Sequence, residues 1–180
     1  VMCLLNKITI ADLNSEDFNP FYQSYIDNNG GNTLLESLSK GFYDIDVLFL
    51  KLTESKLQDA YAPLKWTIAE VLIHLADTER IFQYRSLCFS RGDNTALPGF
   101  DENAYVPNSN AAHRNLASIK EELIAVRNAT LSLFKSFSSQ QLNTKGLASG
   151  SEMSVAATGF IISGHLTHHF NIIETRYLKK

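Results

Sequence analysis

Five histidines carry the chemistry this sequence could do: His74, His113, His165, His168 and His169. Imidazole is a good ligand for zinc, nickel, copper and iron, so the first question is whether any set can converge on one ion. Placed on a helix at about 100° per residue, His165 and His169 fall about 40° apart, one turn above the other. Both lie within the apolar arc set by Val155, Ile161, Ile162, Leu166, Ile172 and Ile173. His168 falls about 60° from His165 on the other side, at the polar edge of that arc. The pair His165/His169 is therefore preferred to His165/His168. His74 sits on the flank of a second apolar face, beside Thr78 and Ile81, and also looks inward. A lone inward histidine is more often bonded to a core neighbour, but two stacked buried imidazoles need partners or a metal. His113 lies in a loop and is expected to be exposed.

The elements that must position these side chains are four helices. The first is expected over about 33–53, from Leu34, Leu35, Leu38, Phe42, Ile45, Leu48 and Phe49. The second, about 67–91, opens on the capping box Thr67-Ile68-Ala69-Glu70 and closes on Arg91-Gly92. The third covers about 115–137, with Leu116, Ile119, Leu123, Val126, Leu131 and Phe134 on one stripe. The fourth covers about 153–178, after the Gly- and Ser-containing stretch 145–151. Residues 1–33 read as an irregular arm over the bundle, with a short helix around Phe21 to Ile26. Pro98 and Pro107 exclude a helix through the long gap 92–114, and loops of that length often cover a site. Strand-like alternation is absent. The expectation is one domain over 1–180, all-α, a four-helix bundle.

Composition agrees. The 180 residues are 44% hydrophobic and 19% charged, with net charge −3 and no basic block. That pattern gives no electrostatic footprint for nucleic acid or for an anionic membrane. No apolar run approaches the roughly 20 residues that span a bilayer, and the opening VMCLLNKITI does not read as a signal peptide. Two cysteines, Cys3 and Cys88, form no short pair, and reduced thiols in a cytoplasmic compartment are expected.

The segment Lys65-Trp66-Thr67-Ile68-Ala69-Glu70-Val71-Leu72-Ile73-His74-Leu75-Ala76-Asp77-Thr78-Glu79-Arg80 resembles the second helix of the DinB/YfiT-like superfamily. Leu97-Pro98-Gly99-Phe100-Asp101-Glu102-Asn103 and Gly164-His165-Leu166-Thr167-His168-His169, followed by Ile172, Ile173, Glu174, Tyr177 and Leu178, extend the resemblance over about 20–178. It implies a four-helix bundle with a three-histidine divalent metal centre, zinc or nickel among the candidates, held by His74, His165 and His169. It also implies reactions such as transfer of a low-molecular-weight thiol, and it is compatible with a homodimer.

Three neutral ligands leave an ion its full charge and an open position, where a bound water or thiol ionises near neutral pH. Cys88 lies roughly 21 Å along the helix from His74 and is no fourth ligand. The favoured expectation is a metal-dependent transferase that activates a small thiol and acts on a small-molecule substrate. The alternatives are a hydrolase using metal-bound water, or a non-catalytic metal-binding or stress-related protein. Asp77, Glu70 and Thr78 are candidates to orient His74. Asp101, Glu102 and Tyr105 are candidates for the site entrance.

Overall fold

The computed structural model describes residues 7–179. Its frame is four long helices: α2 (Leu34–Phe49), α3 (Ile68–Ser90), α5 (Leu116–Lys135) and α7 (Val155–Ile172). Three are shorter: α1 (Gln23–Asp27) in the arm before α2, and α4 (Glu102–Tyr105) and α6 (Ser139–Leu142) in the connections. The starts follow from local chemistry. Thr67 accepts from the Glu70 amide, and the Glu70 carboxylate accepts from the Thr67 amide at 2.7 Å. Thr33 and Glu36 repeat this box at α2, and Asn115 and Ser154 cap α5 and α7. Such caps satisfy amides that the first turn leaves unpaired. At the other end of α3, Arg91 is the cap and Gly92 follows at φ +75°, where only glycine is free of a Cβ clash.

Helices α3 and α7, α7 and α2, α2 and α5, and α5 and α3 pack side by side. Of the consecutive long helices, α2 and α3 are diagonal, as are α5 and α7, while α3 and α5 are side by side but parallel, and each arrangement needs a long connection. This order makes α3 and α7 neighbours and so faces the histidine of one toward those of the other.

The core forms two apolar clusters. One contains Leu34, Leu38, Phe82, Phe89, Phe134 and Phe160, the other Ile45, Leu48, Leu72, Leu123, Leu166 and Phe170. Along every long helix the change from one cluster to the other falls near the middle, so α2 and α7 run one way and α3 and α5 the other. Buried polar groups occupy the change-over: Thr78 and Glu79 on α3, Arg127 and Thr130 on α5, Ser163 and His165 on α7. A carboxylate oxygen of Glu79 lies 2.8 Å from Arg127 Nη2, and its other oxygen accepts from Thr130 at 2.6 Å.

The structure corrects several details. The fourth helix does not start at 153, because Lys145–Ala148 (β1) and Ser151–Ser154 (β2) pair as an antiparallel hairpin. These strands are too short to show alternation in the sequence. Its two-residue turn places Ser149 at φ +52° and Gly150 at φ +77°, the geometry of a type I′ hairpin. After Ile172 the chain continues as a π-helix, Ile173–Leu178. The first helix ends at Phe49, and Leu50 is 87% exposed. Cys88 is buried, and Cys3 lies outside the described residues. No helix among the described residues is long and apolar enough to cross a membrane.

Helix α7 is buried on nearly every face, as a helix apolar all round must be. The arm supplies the cover. Helix α1 lies on α7 with the Tyr25 carbonyl so close to Gly164 that an added Cβ would sit 1.7 Å from its oxygen. Gly164→Ala must therefore push α1 off the bundle. It is expected to cost about 1–3 kcal/mol or more, read as a lowered melting temperature. A melting temperature equal to that of the parent protein would contradict this contact.

Candidate metal centre

Helix α3 presents His74, and α7 presents His165 and His169 one turn apart. One ring nitrogen of each lies within 4.8 Å of those of the other two. The Nε2 atoms of His74 and His165 face each other at 3.2 Å. Two imidazole nitrogens bound to one ion at about 2.1 Å and 90–109° would be about 3.0–3.4 Å apart. The ring of His169 stands 4.5 Å from that of His165 and 5.0 Å from that of His74, centroid to centroid. Its Nδ1 is buried without a hydrogen-bond partner among the described residues. Two ring nitrogens that face each other at a shared-ligand distance, with a nitrogen of the third ring beside them, are what a shared cation would satisfy, so these residues fit a divalent metal. His168 is half-buried against Tyr25, its ring 5.2 Å away, and stays out of the cluster. His113 is exposed.

Electrostatics suit the same role. Burial lowers the His74 pKa from 6.5 to about 4 and that of His169 to about 3. Burial, followed by its neighbouring imidazoles, holds His165 well below its ordinary range. All three are neutral at pH 7, the form that ligates. The unfolded chain still protonates near 6.5, so below that pH it binds protons the folded chain refuses. The metal-free protein should therefore lose about 1.4 kcal/mol per pH unit for each such histidine as pH falls from 6.5 toward 4. Thermal melts across this range should show the decline, and His169→Leu should make it shallower. An equally steep decline in that variant would contradict the assignment.

The triad forms part of the wall of a cavity of about 340 Å³. The ring of Trp66 packs 5.0 Å from that of His74, and the Trp66 carbonyl accepts from the Tyr177 hydroxyl at 2.7 Å. Tyr25 stands edge-on to His165 at 5.2 Å. Thr78 Oγ1 lies 3.4 Å from His74 Nδ1, placing it as the neighbour that could orient the ring. Glu70 instead caps α3, and Asp77 lies beside Arg80 at 3.6 Å. In the long loop, Asp101 caps α4 through the Asn103 amide. Glu102 reaches the cavity, while Tyr105 is 49% exposed and lines a separate surface hollow. Tyr25, Arg85 and Ser149 also line the cavity. Sequence reasoning passed over all three, since only tertiary packing brings the arm, the last turns of α3 and the hairpin tip together.

Residues 38–173 match the family model described as the DinB superfamily. Among solved structures, YfiT from Bacillus subtilis superposes with a TM-score of 0.72 over 90% of this chain and 89% of its own, at 16% identity. That protein is described as a probable metal-dependent hydrolase with an unusual four-helix bundle topology. No curated protein matches the chain.

Proposed function

The chain belongs to the DinB superfamily, and from that premise we propose that it is a divalent-metal-dependent hydrolase of a small molecule, with His74, His165 and His169 as the metal ligands. The observation that carries the reading is the convergence of three neutral imidazoles on the wall of a 340 Å³ cavity. Three protein ligands are the number that leaves a coordination position free for chemistry, where an ion supplies Lewis acidity and a nucleophile ionised at neutral pH. Trp66 and Tyr25 wall the histidines in, limiting bulk water and giving a substrate flat surfaces to pack on. Half-buried Glu102 supplies a carboxylate in the same cavity, close enough to favour the charged form of His74.

Glu102 is what favours hydrolysis over thiol transfer. A thiol bound to a metal is deprotonated outright, so thiol transfer needs little help from a protein base. Attack by water involves moving a proton, and a cavity carboxylate can accept it and return it to the leaving group. The description of the structurally similar YfiT supports the same choice. Transfer of a low-molecular-weight thiol is the second reading, favoured by a cavity large enough for two small reactants and by the distance of Cys88 from the triad.

The test uses protein purified without a metal-affinity tag, stripped with chelator and reloaded with Zn²⁺, Ni²⁺, Mn²⁺ or Co²⁺. Amide and ester panels should show hydrolysis that disappears on stripping and returns on loading. Glu102→Gln should lower it about 10²–10⁴-fold. Turnover only with an added thiol and an electrophile, untouched by Glu102→Gln, would replace hydrolysis with thiol transfer. A loaded protein that turns over nothing in either panel would leave a metal-binding protein without catalysis.

A further inference from the structure

Arg85 is 2% exposed and has no carboxylate partner among the described residues. Its Nη2 donates to the Pro98 carbonyl at 3.2 Å and to Ser149 Oγ at 2.8 Å. Its remaining polar neighbour is the Tyr22 side chain, itself on the cavity wall, so the guanidinium meets no negative charge and faces the cavity that Arg85 lines. The guanidinium lies over the Phe82 ring, 4.9 Å from its centroid. A buried charge without a counter-ion is costly, and packing on an aromatic face offsets only part of that.

The surroundings are built to present this charge. Ser149 is a non-glycine residue held at φ +52°, a conformation uncommon outside glycine, asparagine and aspartate. The Ser149 amide donates to the Leu97 carbonyl at 3.1 Å, and the Leu97 amide to that of Leu147 at 2.9 Å, which ties the hairpin tip to the loop. Because Ser149 Oγ accepts from Arg85, its hydroxyl proton is free to donate into the cavity. Glu102, the carboxylate on the cavity wall, forms no ion pair with Arg85 and instead acts on His74 and Tyr25.

We propose that Arg85 and Ser149 form a carboxylate-binding subsite, so that the substrate is a small molecule with a carboxylate at the end remote from the reacting group. Arg85 is eleven residues after His74 on α3, three turns and about 20° further round, so both face the same side. Their Cα atoms are about 16 Å apart along the axis. The arginine side chain leans back toward the helix N-terminus, which leaves roughly 10 Å between guanidinium and triad. One guanidinium and one hydroxyl, with an acidic group elsewhere in the cavity, suit a monoanion better than a phosphate dianion. The inference rests on the cavity being the substrate site, but not on the metal.

The test is therefore made on chelator-stripped protein, reading the fluorescence of Trp66, the single tryptophan and a cavity wall residue. The probes are phenylbutanoate, its neutral amide phenylbutanamide, and phenylpropyl phosphate. The carboxylate should bind about 10–100-fold tighter than the amide, the worth of a charge-assisted hydrogen bond. Arg85→Gln should erase that preference. Ser149→Ala, which keeps the arginine and does not depend on the folding of the Arg85 variant, should reduce it about two- to tenfold. Equal affinity for acid and amide, or a preference that survives Arg85→Gln, overturns the subsite. Tighter binding of the phosphate than of the carboxylate overturns its assignment to carboxylates. Metal content and turnover are measured separately, so failure here leaves the metal-dependent reading standing, and the converse also holds.

Discussion

His165→Ala is expected to release the metal and abolish metal-dependent turnover, with folding intact. Its Nε2 faces that of His74 at 3.2 Å, and its ring is 4.5 Å from that of His169, so no other residue of the cluster can take its place. Residues that merely orient a ligand are worth about 10–100-fold in metal affinity, so a ligand itself should be worth more than about a hundredfold. His74→Ala and His169→Ala should behave alike. His168→Ala should keep its metal, because that ring packs on Tyr25 outside the cluster. Metal-to-protein ratios measured after dialysis against a weak chelator distinguish these outcomes. A variant lacking His165 that stays loaded, or one lacking His168 that empties, would show that the wrong pair on α7 has been chosen.

The largest stability effect is expected elsewhere, in the polar layer that holds α2, α3 and α5 together. Glu79 is the counter-ion of a fully buried Arg127, which also reaches the Leu38 carbonyl at 3.3 Å. Gly41 leaves it room, since a Cβ there would lie 2.8 Å from Arg127 Nη1. Glu79→Ala strands that cation in the core and should cost about 3–5 kcal/mol, or roughly 6–20 °C in melting temperature for a domain of this size. The double variant Glu79→Leu with Arg127→Met should recover most of the loss, because a well-packed apolar pair needs no desolvation of charge. A single variant that melts with the parent protein would mean that Arg127 finds water or another acceptor.

How much of this the sequence disclosed follows from what is local and what is not. The Thr67–Glu70 box, Gly92 and the apolar stripes are local signals, and they place the four long helices within a few residues. The 3.6-residue period is also enough to bring His165 and His169 to one face and leave His168 at its edge. What the period could not show is that α7 is covered on both sides. Its inner arc was legible, but its outer face is closed by α1, and only Gly164 hints at so close an approach. The hairpin was missed because two strands of four residues each carry too little alternation. Arg85 and Ser149 stand 64 positions apart and meet through the fold, so no spacing in the sequence could pair them. Glu102 and Tyr105 looked equivalent in the loop. The short helix α4 turns the first toward the cavity and the second away.

Everything proposed for the reaction depends on three histidines holding one divalent ion at the cavity wall. The most direct measurement is elemental analysis of the untagged protein, before and after reloading, on the parent and on His165→Ala. The reloaded parent is expected to hold about one equivalent of a divalent transition metal per chain, and the variant almost none. A parent protein that takes up no ion at neutral pH, or one that binds as much with His165 replaced, would contradict it.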